Sequence, residues 1–513
     1  MVKINLNQKL VEFFKNIVMG VAMLILSYLF VVSLFLTSNI DIYSEVSTFS
    51  KDNIYINLIC ILLILIFIGW LKDKLGKLDS KKLTLFVMIL VSAFCLFYIF
   101  FVRAYPKADQ AVVLNQAYQF SIGNYETLEV GRYMNVFAHQ LGLVFILEQI
   151  GNIVGQNNYI FLQCLNVIFI DLIIFYLYKM CDYIFKKNEL CNLTVLLSGF
   201  CIPLLLYTIF VYGNLPGCAL SLMAIYYEIK YFKDQKSRYL ILSIIFIAVA
   251  YLVRSNNLII LIAMIIAYFV ELIDKKNALY ILCIFITAIS CFGLTLGVKK
   301  YYSVVSGYPI NTPMPKTLWI SMAINDNSPL CEGWYDRYIV DVYDMTNYDY
   351  DEANRIAIKD IKSRLTYFKN NPKDAMRFFS RKINSTWINP DFQSFWIAQT
   401  EENASHWGAL EKSLFYGKIN KALSFIMNIS QTLIYLGALV FVLTHFKKIE
   451  FSQLALIIIF IGGFLFHIIW EAKSQYVITY FILLFPYASK GLVNLSSMMK
   501  SVLQSCRNKI YKA

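Results

Sequence analysis

Charged residues are scarce in this sequence: Asp, Glu, Lys and Arg make up 15% of its 513 residues. A soluble globular domain carries about a quarter, so a soluble fold is excluded. Histidine is scarcer still, and no two of the four have the spacing of a helical metal site. The histidines are His139, His406, His445 and His467. We therefore predict no metal cofactor from them.

The eleven cysteines do not form a disulfide pattern either. Ten of them lie in apolar runs, at the ends of such runs or in the C-terminal tail, and only Cys331 lies in a long polar region. A disulfide framework or a cysteine-based zinc site needs several cysteines in one such region. We predict neither.

What the sequence has in excess is apolar side chains, which make up 58% of it. A membrane span needs about 20 mostly apolar residues, and in lipid the backbone must satisfy its own hydrogen bonds, so such runs form helices. We predict an all-α polytopic membrane protein with about twelve transmembrane helices. They are placed at 18–36, 54–71, 83–102, 158–180, 191–211, 214–232, 239–254, 255–272, 278–297, 420–444, 451–470 and 476–494.

The distribution of Lys and Arg predicts the orientation. With the N-terminus inside, the inner segments hold 24 of them and the outer segments 6, leaving aside the long loop 298–419. Short cytoplasmic loops are enriched in these residues, so we expect both termini on the cytoplasmic side. The membrane is expected to be a bacterial plasma membrane. The net charge of +13 follows from this topology, because most of the excess lies in the short inner loops. Nucleic acid is therefore not an expected partner.

Four segments follow from this topology. They are an N-terminal hairpin with a basic inner loop (1–82), a transmembrane core (83–297), an extracytoplasmic cap loop (298–419) and C-terminal helices with a tail (420–513). The hairpin encloses an acidic outer loop, DIYSEVSTFSKDN. The core contains a first large outer segment, 103–157, with two apolar pieces that we interpret as helices lying at the membrane interface. If the second piece were an ordinary span, every later segment would change sides.

The outer residues suggest a reaction. Transfer of a sugar from a lipid phosphate needs a base for the acceptor hydroxyl, and cations, preferably Arg, for the phosphate. Asp109, six residues after a span ends at Arg103, is the candidate base. The candidate cations are Arg103, Arg132, Arg254 and Lys473. Alternatively, Asp109 is a solvated loop acid, Arg103 and Arg254 are anchors at span ends, and Lys473 pairs with Glu471. Asp171 lies inside an apolar span, where we favour a hydrogen-bonding role.

Four stretches, in this order, resemble the GT-C membrane glycosyltransferases, and more closely the bacterial members related to protein mannosyltransferases in glycosyltransferase family 39. The stretches are PKADQAVVLNQAYQFSIGNYE, GRYMNVFAHQLGLVFILEQIGNIVG, NPKDAMRFFSRKINSTW and WEAKSQYVITYFILLFPYASKGL. The resemblance implies a GT-C-like fold, a polyprenyl-phosphate-linked sugar donor and an inverting transfer to a glycan or other surface acceptor on the outer face. It places Asp109 as the loop acid.

We also assign substrate binding to Glu471, Lys473 and Tyr476 of the late motif. Glu126 and Glu129 are the nearest substitutes for a second acid, and nothing in the sequence places them in the site. Many relatives have two adjacent acids where this chain has Asp109-Gln110, so a metal bridged by an acid pair is not predicted. Relatives often have an Arg where this chain has Gln475, which leaves Lys473 for the phosphate.

Two other functions stay open. A polysaccharide polymerase or ligase also works through outer loops, but relies more on Arg and His there than on an early acid. A lipid-glycan transporter or flippase places ionisable groups at the midplane in paired positions. Membrane lipids surround the protein under every one of these hypotheses.

Overall fold

The computed structural model describes residues 6–310, 314–447 and 449–510. It is 79% helical, which confirms the helical class. One element corrects the all-α prediction: strands β1 (Leu36–Ile40) and β2 (Ser47–Lys51) pair antiparallel in the outer loop of the N-terminal hairpin. These strands are rich in Ser, Thr and Asn and lack the apolar alternation that predicts a strand.

Three long helices precede the first large outer segment: α1 (Leu6–Phe35), α2 (Ile54–Lys77) and α3 (Ser80–Val102). The side chain of Asn53 accepts hydrogen bonds from the first free amides of α2, and that of Asp79 does the same for α3. Such N-caps fix where a helix begins. Each cap directly precedes a long apolar run, and these two helices were therefore well placed from the sequence.

The segment 103–157 contains the two predicted helices and a short third one. They are α4 (Asp109–Ser121), α5 (Tyr133–Val136) and α6 (Leu141–Val154). With 13 and 14 residues, α4 and α6 are too short to cross a bilayer, which needs about 20.

The remaining helices form the core, the cap and the C-terminal part. In the core these are α7 (Tyr159–Phe185), α8 (Asn188–Gly199), α9 (Ile202–Leu206), α10 (Asn214–Asp234), α11 (Ser237–Val253), α12 (Leu258–Lys275) and α13 (Leu279–Ser306). In the cap these are α14 (Lys316–Ile324), α15 (Tyr338–Met345), α16 (Tyr350–Asn370), α17 (Pro372–Trp387), α18 (Glu401–His406) and α19 (Ala409–Tyr416). The last four are α20 (Lys418–His445), α21 (Ala455–Ile469), α22 (Ile478–Ile482) and α23 (Phe485–Ile510).

Every predicted span coincides with a helix or a broken pair of helices, but fewer of them qualify as spans by length and composition. Among the described residues seven helices do so, or eight if the pair α8–α9, bent by 50°, counts as one span. Helices α11 and α21 are short, with 17 and 15 residues. Helix α10 carries four charged residues in its second half. The count of twelve therefore stays a prediction.

Hydrogen bonds between segments that are distant in sequence fall into two groups, one at each end of the molecule. At one end, Lys72 donates to Ser497 (2.8 Å) and Asn192 to the carbonyl of Leu75 (2.7 Å). At the other end, the amide of Ser38 donates to the carbonyl of Ile388, and the Trp407 indole to that of Val102. Each group joins segments predicted on one side of the membrane. Three lysines of the charge count, Lys3, Lys448 and Lys512, lie outside the described residues.

We expect a topology reporter fused after Lys82 to read as cytoplasmic and one fused after Trp334 to read as extracytoplasmic, because of the Lys and Arg asymmetry. Paired alkaline phosphatase and fluorescent protein fusions measure this directly. Two fusions that read on the same side would contradict the orientation and place the site described below on the wrong face.

Ionisable side chains inside the core are more numerous than the single Asp171 noted in the sequence. Asp171 accepts a hydrogen bond from Ser92 of α3 (2.6 Å), which agrees with the hydrogen-bonding role. In addition, Glu228 of α10 is buried, and Glu271 of α12 forms an ion pair with Lys275 (2.6 Å). Both glutamates line a small cavity near the end of α10 that carries its charged residues.

Candidate active site

Asp109 lies where the chain re-enters a helix after leaving α3. The helix ends at Val102, and Arg103 adopts a left-handed conformation (φ 48°), so the chain turns away from the span before it reaches Pro106. Asp109 is the first residue of α4. Its carboxylate accepts hydrogen bonds from the hydroxyls of Tyr133 (3.2 Å) and Tyr212 (3.3 Å). The group is thus oriented while staying exposed to the crevice in front of it.

Arg254 lies beside the same tyrosine, at the break between α11 and α12. Its guanidinium lies over the ring of Tyr212 (4.5 Å) and donates to that residue's carbonyl (3.2 Å). Gly213 allows this approach: it has φ +81°, and a Cβ there would lie 2.9 Å from the carbonyl oxygen of Val253. Only glycine tolerates both conditions at no cost. Tyr212 therefore links the candidate base to a candidate phosphate ligand.

A small cleft opens at this break. The lining residues are Asn214, Arg254, Asn256, Asn257, Tyr476, Thr479 and Tyr480. Arg254 also lies 5.5 Å from the centre of the Tyr476 ring, so the cleft brings together the first and the late parts of the predicted site.

One wall of the crevice is positively charged. Burial among protein atoms, together with the charges of Arg254, Lys299 and Lys316, lowers the pKa of His139 to about 4. The imidazole is nevertheless solvent-exposed. Its ring lies edge-on to Trp319 at 6.3 Å. Three cations around one imidazole provide a wall suited to an anion.

The opposite wall is carboxylic. Burial, followed by the negative charges of Asp109 and Glu45, raises the pKa of Glu471 to about 7, against the opposing effects of Lys473 and of the hydrogen bond from Tyr476. That hydrogen bond measures 3.2 Å. The carboxyl groups of Asp109 and Glu471 are therefore close enough to interact electrostatically.

Lys382 of α17 holds the late loop in place. Its ammonium, 1% exposed, donates to the carbonyls of Ala323 (2.6 Å), Ile468 (3.0 Å) and Trp470 (2.9 Å). Burial lowers the pKa of Lys382 to about 7, with Glu471 opposing this shift. The last carbonyls of α21 are thereby satisfied, and the loop that follows is fixed against the cap.

Lys473 has a partner that the sequence did not suggest. Its ammonium forms an ion pair with Glu45 in the turn between β1 and β2 (2.8 Å), with 11% and 12% of the two side chains exposed. The alternative of a pair with Glu471 is therefore replaced by a pair across 428 positions of the chain. Arg254, whose contacts are with a carbonyl and aromatic rings, is the better placed cation for a phosphate.

The structure thus brings together five of the predicted site residues and leaves three with other neighbours. The five are Asp109, Arg254, Glu471, Lys473 and Tyr476. Arg132 forms an exposed ion pair with Glu129 (2.9 Å), and Glu129 also accepts from Tyr308 (2.9 Å). Arg103 is exposed and donates to the carbonyl of Phe100 (3.2 Å). A substrate role for these three stays a prediction.

In the described part of the chain, no group of three or more His, Cys, Asp or Glu side chains could hold a metal ion.

Glu471→Gln is expected to raise the melting temperature in detergent relative to the parent protein, and more so as pH increases from 5 to 8. The pKa of Glu471 is raised from 4.5 to about 7, so between these values the folded state binds more protons than the unfolded state. Stability from this group therefore falls as pH rises through that window. Glu12→Gln, at an exposed position of α1, is the control. A melting-temperature difference that does not depend on pH would contradict the buried carboxyl.

Sequence reasoning missed several residues of the site: Glu45, Tyr133, His139, Tyr212, Lys299, Lys316 and Lys382. A local signal existed for two of them. Tyr212 precedes a glycine at a break between apolar runs, and His139 lies in a stretch already singled out. For Glu45 only the acidity of its loop was visible, since its partner is distant in sequence.

A model of the dolichyl-phosphate-mannose-protein mannosyltransferase family matches residues 139–295. This confirms the resemblance to the GT-C glycosyltransferases and indicates a membrane glycosyltransferase. The match covers under a third of the chain and includes His139, Tyr212 and Arg254, but neither Asp109 nor the late motif. No curated protein and no solved structure matches significantly.

Proposed function

We propose that this protein transfers a sugar from a polyprenyl-phosphate donor to a cell-wall or surface glycan at the outer face of a bacterial plasma membrane. The observation that carries the proposal is a carboxylate held close to a group of cations. The carboxylate is that of Asp109, and the cations are Arg254, Lys299 and Lys316. Tyr212 contacts both Asp109 and Arg254.

The carboxylate and the cations suit the two ends of such a reaction. A phosphate monoester or diester is held by cations, and Arg does so in a bidentate manner. An acceptor hydroxyl is activated by a carboxylate that receives its proton as the new bond forms. Stacked rings of Trp319 and Trp470 (6.0 Å, 5° apart) supply a flat apolar surface in the same region, which suits the face of a sugar ring.

The step is a single displacement. The acceptor oxygen attacks the anomeric carbon, its proton passes to Asp109, and the bond from that carbon to the phosphate oxygen breaks. Polyprenyl phosphate leaves with the bonding electron pair and its negative charge, facing the cations. Attack from the side opposite the leaving group inverts the configuration at the anomeric carbon. No covalent intermediate on the protein is needed.

The test is a transfer assay with purified protein in lipid vesicles. Polyprenyl phosphates carrying single radiolabelled sugars are supplied together with surface glycans extracted from a deletion strain, and label in the glycan is measured. Transfer with inversion supports the proposal. Consumption of polyprenyl-diphosphate oligosaccharides instead would identify a polymerase or ligase. Movement of labelled lipid across the vesicle with no bond cleaved would identify a transporter.

A further inference from the structure

The turn between β1 and β2 is attached to the cap rather than projecting into solvent. Within the turn, Asp41 accepts from the amides of Tyr43 (3.0 Å) and Ser44 (2.7 Å). The strands are held from outside: the amide of Ser47 donates to the carbonyl of Leu330 (2.9 Å), and Asn389 donates to the carbonyl of Ser38 (3.0 Å). The turn therefore has a fixed position over the crevice.

Glu45 lies in this turn, which holds its side chain against the late motif. It has φ +62°, a left-handed conformation that a side chain adopts at a cost and that is found where the surroundings impose it. Its carboxylate accepts from Lys473 (2.8 Å) and from Gln393 (2.9 Å). Gln393 in turn accepts from the amide of Gln475 (3.1 Å). Glu45 is thus bonded to the late motif both directly and through one neighbour.

Three acidic groups act on the Lys473 ammonium. Burial lowers the pKa of its ammonium, but Glu45, Glu471 and Asp109 more than offset this, and the pKa is raised. Glu45 comes first among the three. The second cation near the turn, Lys107, donates to the carbonyl of Ile42 (3.1 Å). Burial lowers the pKa of Lys107 to about 8, with Glu45 and Asp41 opposing.

We propose that the β1–β2 turn is part of the active site and that Glu45 is a positioning residue, which engages the Lys473 ammonium and keeps it from pairing directly with Asp109. A carboxylate in direct contact with an ammonium is a weaker base, because the contact favours its ionised form. With Glu45 as the partner, Lys473 acts on Asp109 and Glu471 from a distance rather than through a direct contact. This proposal rests on the transferase function proposed above.

The test compares Glu45→Gln with Glu45→Asp and with Lys51→Gln, an exposed charge on the same hairpin. In the transfer assay, Glu45→Gln is expected to lower kcat by about tenfold, in the range of a charged hydrogen bond, with the KM for the donor little changed. The acid limb of its pH profile moves to lower pH, because Lys473 now faces Asp109. Glu45→Asp retains an intermediate kcat, and Lys51→Gln behaves as the parent protein.

A second measurement does not depend on activity. The acylation rate of each lysine is determined by mass spectrometry on the full chain in vesicles. In Glu45→Gln the pKa of Lys473 falls, so its acylation is expected to be several-fold faster than in the parent protein, while Lys51 is unchanged. Equal acylation rates of Lys473 in both proteins, or a Glu45→Gln variant with the parent's pH profile, would overturn the role of Glu45. Either result would leave the proposed transferase function standing. Absence of transfer by the parent protein would overturn the proposed function and, with it, the catalytic role of the turn.

Discussion

Asp109→Asn is expected to abolish detectable sugar transfer while leaving the protein inserted in the membrane and as stable as before. Tyr133 and Tyr212 now donate to different oxygens of the carboxylate. The amide oxygen of asparagine still accepts one of these hydrogen bonds, and its NH2 group donates to the other hydroxyl. It has no capacity to take the proton of the acceptor hydroxyl. Base catalysis contributes about 100- to 10,000-fold to a rate, so the loss should fall in that range. Label transfer in vesicles, normalised to protein amount, measures it.

The matched control is Asp351→Asn, which removes an exposed carboxylate from the first turn of α16. It should transfer sugar at the parent rate. Glu129→Gln is the informative competitor, because Glu129 is the nearest other acid considered, although it pairs with Arg132 and Tyr308. Near-normal transfer by Asp109→Asn with an inactive Glu129→Gln would move the role of the base to Glu129.

Much of the fold could be predicted because lipid restricts the backbone to helices. Apolar runs such as 54–71 and 83–102 coincide with helices whose starts are marked by Asn53 and Asp79. The breaks were harder. Helix α8 bends into α9 by 50° just before Pro203, and hydropathy alone does not separate a bent span from a straight one.

Only part of the site could be predicted, because several of its contacts join residues that are far apart in the sequence. Asp109 and Arg254 lie at ends of apolar runs, where a charged residue is conspicuous in the sequence. The pair of Glu45 and Lys473 joins two segments 428 positions apart, and no periodicity or spacing signals such a contact. Lys382 is similar: an amphipathic helix predicts a solvated lysine, and only the packing of the cap on α21 shows that its ammonium is enclosed by three carbonyls.

The two glutamates inside the core illustrate the opposite problem. Glu228 and Glu271 lie within predicted spans, and each is followed within a few residues by lysines near the inner end of its helix. A buried carboxyl in a membrane helix is costly. Their cavity is lined by the ends of α10 and α12 that carry Lys230, Lys233 and Lys275. The crevice with Asp109 lies where those helices begin, so the pair is not part of the proposed chemistry.

Arg254→Ala is expected to reduce transfer by roughly ten- to a hundredfold, mainly through weaker use of the donor. Hydrogen bonds to charged groups contribute about 1.5–3 kcal/mol, which corresponds to that range. Arg254 lies over Tyr212 and beside Tyr476, in the cleft between α11 and α12. Its loss leaves Lys299 and Lys316 on that wall, so transfer should fall without disappearing.

Arg254→Lys separates charge from geometry. A lysine keeps the positive charge but has no planar fork for a bidentate contact, so it should restore part of the lost donor affinity and little of the orientation. The control is Arg355→Ala, at an exposed ion pair on α16. The KM for the polyprenyl-phosphate sugar, measured at saturating acceptor, is the decisive quantity. If Arg254→Ala raised only the KM for the acceptor glycan, the positively charged wall would belong to the acceptor, and the donor phosphate would have to bind near Lys473 and Lys107 instead.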